Sequence, residues 1–230
     1  MVCIHTLWRL ILIIAIDGPA GSGKSSIAKM IAKHLGFTYL DTGAMYRALT
    51  WKAMQVGVAL ENEDALCELM DKTSITFQGS GENARISVDG VDVAREIRSP
   101  AVTNNVHHIS GAAGVRRRMV TLQQKYASEG NVVAEGRDMG TVVFPGAEKK
   151  FFLDADIEER AKRRFGELQA AGKNVSYEGV VEDMEIRDKR DSTRSNSPLT
   201  MSPDATYIDT TKLTVEGLFN RIMREIKVAL

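Results

Sequence analysis

Cysteine is scarce in this 230-residue chain, which has only Cys3 and Cys67. Two thiols cannot build a disulfide scaffold or a zinc site, and they fit a reducing, cytoplasmic compartment. Net charge is missing as well, with 30 Lys plus Arg against 30 Asp plus Glu. A chain without basic excess gives no sign, by net charge, of constitutive binding to nucleic acid, which leaves only local basic patches open. Long apolar runs are also missing. The longest, Leu10–Ile16, falls well short of the roughly 20 residues a membrane-spanning helix needs. Arg9 and the run after it have a faint likeness to a signal peptide. However, Asp17-Gly18-Pro19 stands where small residues should mark cleavage, so Leu10–Ile16 is read as a buried strand and residues 1–9 as a tail. Repeats, low-complexity tracts and coiled-coil heptads are absent, and a monomer is expected.

What remains is an ordinary globular balance, 43% hydrophobic and 26% charged, which excludes a disordered chain and suits one to two domains. Buried strands are expected at Leu10–Ile16, Thr38–Leu40, Asn131–Ala134 and Lys150–Leu153, with Tyr207–Ile208 a weaker fifth. Helical patterns lie between them at Ser25–Leu35, ended by Gly36, and at Ala44–Val56, Val115–Ser128 and Val215–Val228. This alternation predicts an α/β fold with helices on both faces of a parallel sheet. Two stretches break the rhythm. Ser74–Val93 alternates in period two (Ile75 and Phe77, Ile86 and Val88, Val91 and Val93), with turn residues at Gly79–Gly81 and Asp89-Gly90, and reads as a small antiparallel insert. Asp154–Arg194 holds 11 acidic and 9 basic residues among 41, too charged to bury much of itself. It is either a solvated helical pair or a lid whose cations close over an anion.

Gly18-Pro19-Ala20-Gly21-Ser22-Gly23-Lys24-Ser25 matches G-x-x-x-x-G-K-[ST] at every fixed position, with a strand before it and a helix after it. The glycines let successive backbone N–H groups turn inward onto phosphate oxygens, Lys24 reaches the β- and γ-phosphates, and the Ser25 hydroxyl can ligate Mg²⁺. The motif indicates a nucleoside triphosphate. No N-K-x-D guanine motif occurs, and Phe151-Phe152-Leu153-Asp154 is followed by Ala155 rather than the Glu of a motor ATPase. A small phosphotransferase fits best; a nucleotide-binding module without transfer is the rival from another class.

Acceptor ligands of such sheets bind beyond the carboxyl ends of the strands. After the second strand, Arg47 lies one turn beyond Gly43 and can grip a phosphate bidentately. After the third, Glu135-Gly136-Arg137-Asp138 presents an Arg for a phosphate and a carboxylate for an amino donor such as cytosine N4, or else a structural ion pair. Arg187, Asp191 and Arg194 share one helix face at i, i+4 and i+7. Arg160, Arg163 and Arg164 sit on a helix that Asp156 can cap, as candidates to offset charge on a transferring phosphoryl group.

These stretches, together with Ile16–Ser26, Leu40–Arg47, Glu135–Pro145 (E-G-R-D-M-G-T-V-V-F-P), Phe152–Ala155, Glu159–Arg164 and Arg187–Arg194, resemble the bacterial cytidylate, or (d)CMP, kinases of the nucleoside monophosphate kinase group. The likeness runs from about Leu10 to the C-terminus. It implies transfer from ATP, with Mg²⁺, to CMP or dCMP, and a five-stranded parallel core with an acceptor-binding insert and a helical lid. The division it implies is core at 10–71, 105–153 and 195–230, insert at 72–104 and lid at 154–194. By position, Gly18 to Ser26 hold ATP. Thr42, where some members have Ser, precedes Arg47 and Arg137 on the acceptor phosphate. Arg116 and Asp138 read cytosine, while Arg187, Asp191 and Arg194 meet sugar and phosphates. Lys24, Arg160, Arg164 and Arg187 are the catalytic candidates. One departure bears on base selectivity: His107 stands where the family often has Ser. AMP, UMP and shikimate are the rival acceptors.

Overall fold

The computed structural model describes residues 11–78 and 85–227. The tail, Leu10, the expected Gly79–Gly81 turn and Val228 lie outside the described residues. The chain runs β1 (Ile13–Asp17), α1 (Lys24–Leu35), β2 (Thr38–Asp41), α2 (Thr42–Gln55), α3 (Glu63–Lys72), β3 (Ile75–Gln78), β4 (Arg85–Val88), β5 (Val91–Asp92), α4 (Pro100–Gly111), α5 (Ala113–Ser128), β6 (Val132–Gly136), β7 (Lys149–Asp154), α6 (Ile157–Ala170), α7 (Tyr177–Thr193), β8 (Thr206–Asp209) and α8 (Val215–Lys227). A π-type turn at Met139–Val143 follows β6.

Five strands form one parallel sheet in the order β2-β6-β1-β7-β8. Successive residues of a strand face opposite sides, and the sequence uses both. Ala15, Leu40, Val132 and Ala134 face a core shared with α2, α3, α5 and the small sheet. Ile14, Ile16, Tyr39, Val133, Phe151, Leu153 and Ile208 face a second core with Ile27 and Ile31 of α1 and Leu218, Ile222 and Ile226 of α8. Three layers result, and the continuous apolar strands follow from being covered on both faces. Gly36 adopts φ 69° and closes α1 through its N–H to the Ala32 carbonyl, as expected.

The period-two stretch is an antiparallel sheet, β3-β4-β5, with Ile75 opposite Val88 and Phe77 opposite Ile86. Two helices were not expected from the sequence. α3 is capped by Asn62, whose side chain accepts from Ala65 N at 3.1 Å. α4 starts at Pro100 behind a Ser99 cap, and the expected boundary at residue 104 falls inside it. The charged segment forms two helices, α6 and α7, around a small cluster of Ala161, Val180 and Met184. Asp156 sits at the start of α6, but its side chain makes no cap bond, which corrects the role expected for it. Its backbone N–H instead donates to the Thr211 hydroxyl at 3.0 Å.

Candidate functional site

The end of β1 opens into the phosphate loop. Gly18 has φ +144°, and a Cβ there would lie 1.9 Å from the Leu153 carbonyl oxygen of the neighbouring strand, so only glycine fits. Gly21, at φ +75°, is approached by the Arg160 backbone of α6. The Ser22 hydroxyl donates to the Pro19 carbonyl at 3.1 Å. Lys24 is buried; its ammonium donates to the Pro19 carbonyl and to Ser22 Oγ at 3.2 Å. Burial lowers its pKa, and the Arg137 cation lowers it further. The first turn of α1 has neither a side-chain cap nor an acid, so its amide dipoles face the loop uncompensated. Ser25 and Ser26 stand exposed on that turn.

Across from Lys24, Glu135 stands one residue before the end of β6 and is 5% exposed. The Tyr39 hydroxyl donates to its carboxylate at 2.6 Å, and the Thr42 hydroxyl to its backbone carbonyl at 2.7 Å. Burial raises the Glu135 pKa, and Asp41 adds to the rise. The Ser25 hydroxyl lies within bonding reach of Glu135. A hydroxyl beside a carboxylate is an oxygen-only donor pair, as a hard cation requires. Among the described residues no group of three His, Cys, Asp or Glu could cage a metal. The pair therefore suits a cation that takes much of its shell from phosphates and water.

Three guanidiniums converge beyond β2 and β6. Arg47 pairs with Asp41 at 3.3 Å, the same carboxylate that caps α2 through Ala44 N at 2.7 Å. Arg137 Nε donates to Asp191 Oδ2 at 2.8 Å, and Arg187 Nε lies 4.0 Å from that oxygen. Burial and the Arg137 charge push Arg187 down to about 10. Burial disfavours the charge on Arg137 as well, but Asp191 outweighs it and holds the guanidinium above its ordinary value. One carboxylate shared by two arginines, with Arg47 close enough to Arg187 to depress it, leaves an excess of positive charge fit for a phosphate.

Deeper in, Arg116 Nη2 donates to Asp138 Oδ2; both side chains are 4% exposed. Arg116 also donates to the Ser110 carbonyl at 3.0 Å and lies over the Tyr46 ring at 5.3 Å. Burial pushes the Tyr46 hydroxyl up to about 12. Arg194 is not on the helix face the i+7 spacing suggested. α7 ends at Thr193, and Arg194, in an extended conformation, brings Nη2 to 4.0 Å from Asp138 Oδ1. Among the described residues, Arg116 Nε and Arg194 Nη2 are buried without a hydrogen-bond partner. Two such donors flanking a carboxylate form a cradle of mixed polarity, suited to a flat group carrying both acceptors and a donor.

The arginines of α6 divide. Arg160 is buried; its Nε donates to the Ala155 carbonyl at 2.8 Å, and its Nη1 to the Ala20 carbonyl at 3.2 Å and to Asp188 at 2.5 Å. Arg163 reaches the Thr210 carbonyl at 2.7 Å. Arg164 is more exposed and pairs with Glu167 at 3.0 Å. His107 turns to its own helix, with Nδ1 donating to the Asn104 carbonyl at 2.8 Å and its ring against His108. Sequence reasoning passed over Asp17, Glu135, Tyr46 and Thr210. The first three lie inside motifs already singled out. Thr210, whose hydroxyl donates to the Ser22 carbonyl at 3.2 Å, carries no local signal.

Comparison with known proteins agrees with this geometry. The family model for cytidylate kinase matches residues 14–228. The chain is 49% identical to a cytidylate kinase of Caldanaerobacter subterraneus subsp. tengcongensis, over 93% of this chain and 94% of that protein. It is also 49% identical to one from Enterococcus faecalis, over 93% and 95%. Among solved structures, an uncharacterized protein from Eubacterium ventriosum superposes with TM-score 0.52 at 17% identity, covering 94% of this chain and 98% of that one, which speaks for the fold alone. With the phosphate loop, the opposed arginine cradle and a match spanning nearly the whole sequence in agreement, the chain belongs to the cytidylate kinase family.

Proposed function

We propose that the chain transfers the γ-phosphoryl group of ATP to CMP and dCMP, yielding ADP and CDP or dCDP. The observation that carries this reading is the buried Arg116–Asp138 pair with Arg194 beside it, next to the three-arginine cradle, whose Arg137 and Arg187 lie close enough to Lys24 of the phosphate loop to act on its charge. Gly18, Pro19, Ala20, Gly21, Ser22, Gly23, Lys24, Ser25 and Ser26 hold the triphosphate. Thr42, Arg47 and Arg137 hold the acceptor phosphate. Asp138 accepts from the cytosine amino group while Arg116 donates to the ring acceptors, the complement a cytosine edge requires. Arg187, Asp191 and Arg194 meet sugar and phosphates. An oxygen of the acceptor phosphate, already anionic near neutral pH, attacks the γ-phosphorus in line. The bond to the β-phosphate oxygen breaks and ADP leaves. No side chain need remove a proton. Lys24, Arg160, Arg164 and Arg187 stabilise charge on the transferring group. Bound at Ser25 beside Glu135, Mg²⁺ would neutralise charge on the triphosphate oxygens. Residues 154–194 act as the lid over a core of 10–71, 105–153 and 195–230, and 72–104 as the acceptor-side insert, so that closure excludes water as a competing acceptor.

The test is product analysis with ATP, Mg²⁺ and a panel of CMP, dCMP, UMP, AMP, GMP and dTMP. CDP and dCDP are the expected dominant products. Preference for a purine acceptor, or ATP consumption indifferent to any acceptor, overturns the reading.

A further inference from the structure

Asp138 occupies the position before the π-type turn Met139–Val143, where an aspartate ordinarily turns its carboxylate onto the first free amides of its own helix. It does not do so, and its side chain makes no cap bond. The amides are taken by another residue. Asp17, the last residue of β1, accepts from Met139 N with Oδ1 at 2.8 Å and from Gly140 N with Oδ2 at 2.7 Å. The fit is close: Asp17 is 5% exposed, and a Cβ on Gly140 would lie 3.4 Å from Asp17 Oδ2. Asp17 also stands between Gly136 of β6 and Phe152 of β7 in the sheet register, so it is anchored on both sides.

We propose that Asp17 is a positioning residue for base recognition, capping the Met139–Val143 turn from the neighbouring strand so that the Asp138 carboxylate is released toward Arg116 and the acceptor base. The inference rests on the reading that Asp138 contacts the base. It joins the two halves of the site physically, because the residue immediately before the phosphate loop also sets the backbone immediately after Asp138. Burial favours the neutral form of Asp17, while the two amide bonds favour the carboxylate. Without those bonds, Asp138 is the nearest carboxylate able to satisfy the same amides, and doing so draws it away from Arg116.

The experiment compares Asp17→Asn, Asp138→Asn and the double variant, reading kcat/KM for CMP and UMP and KM for ATP. In Asp17→Asn one amide loses its acceptor. The CMP-to-UMP selectivity is expected to fall about tenfold, the worth of roughly one buried hydrogen bond, with the ATP KM within about threefold of the parent. In the Asp138→Asn background the second substitution should change selectivity by less than about twofold, because it acts through the missing group. Equal losses for CMP and UMP, a matching rise in ATP KM, or full additivity in the double variant each overturn the proposal. Asp138→Asn that keeps parental selectivity instead overturns the base-reading assignment itself, and is recognised because that variant leaves Asp17 intact. Should Asp17→Asn fail to fold, Asp17→Glu, which keeps the charge but displaces the turn, is judged by the same ratios.

Discussion

Lys24 is a side chain that holds the loop and, on the proposed assignment, also serves the chemistry. Its ammonium is buried against the Pro19 carbonyl and lies among Arg137, Glu135 and Arg187. In such a water-poor setting a fixed cation acts strongly on developing phosphoryl charge. Lys24→Ala is expected to cost about 3 kcal/mol of transition-state stabilisation, a loss of roughly 100-fold or more in kcat/KM by steady-state assay. Asp17 yields a pH prediction. Burial lifts its carboxyl from 3.8 to about 6, against the two amide bonds, with the Asp138 charge adding and the Lys24 charge opposing. The folded state thus holds this proton more tightly than the unfolded chain does. Its contribution is fully present below the unfolded pKa and is lost as pH rises through about 6. Between pH 4.5 and 7 the parent should lose about 2 kcal/mol relative to Asp17→Asn in paired denaturation curves. A difference that stays flat with pH would place the titration elsewhere. At this scale Lys24, Arg47, Arg137 and Asp138 were legible as candidates because each stands in a compact motif at a strand end. Asp17 was not, because its partners are more than a hundred residues away.

The α6–α7 pair, the proposed lid, is the element on which packing and the proposed function are most closely tied. α6 and α7 share a small apolar cluster, so their hold on the core depends on polar contacts. Arg160 is the chief one, joining the Ala155 and Ala20 carbonyls and Asp188. A lysine cannot reproduce that planar fork. Arg160→Lys is expected to lower kcat by about 10-fold or more. Backbone hydrogen exchange should quicken in both helices; unchanged exchange would show that Arg160 does not secure the lid. The element pattern was readable where burial is two-sided or strictly alternating, as in β1, β6 and the β3–β4 pair. α3 and α4 were passed over although each keeps a short helical stripe, Leu66, Leu69 and Met70 in one and Val102, Val106 and Ile109 in the other. α4 interleaves Val102, Val106 and Ile109 with Thr103, Asn104, Asn105, His107 and His108, and only Ser99-Pro100 announces its start. Asp156 shows the converse: a favoured cap residue in the right place, left uncapping.

For the whole molecule, the sheet order β2-β6-β1-β7-β8 sets β1 and its phosphate loop between β6 and β7, with Arg47 and Arg137 on the β2–β6 side. On the proposed assignment each nucleotide has its own cradle, and each should stabilise the native state independently. CMP at about 100 times its Kd adds about 2.7 kcal/mol, a rise in Tm of roughly 5–10 °C for a chain of this size. A non-hydrolysable ATP analogue with Mg²⁺ should add its own increment. Thermal denaturation showing that either ligand abolishes the other's shift would mean a single shared cradle. By itself, the sequence determined the phosphate loop, the parallel α/β class and most of the charged groups, because contiguous motifs and hydrophobic periodicity are local properties that short-range backbone geometry converts directly into structure. Only the tertiary structure decided that Arg194 leaves its helix to meet Asp138, that Arg160 ties α6 to α7 and to the phosphate loop, and that Asp17 caps a turn across the sheet, because each depends on which distant segments the fold makes neighbours.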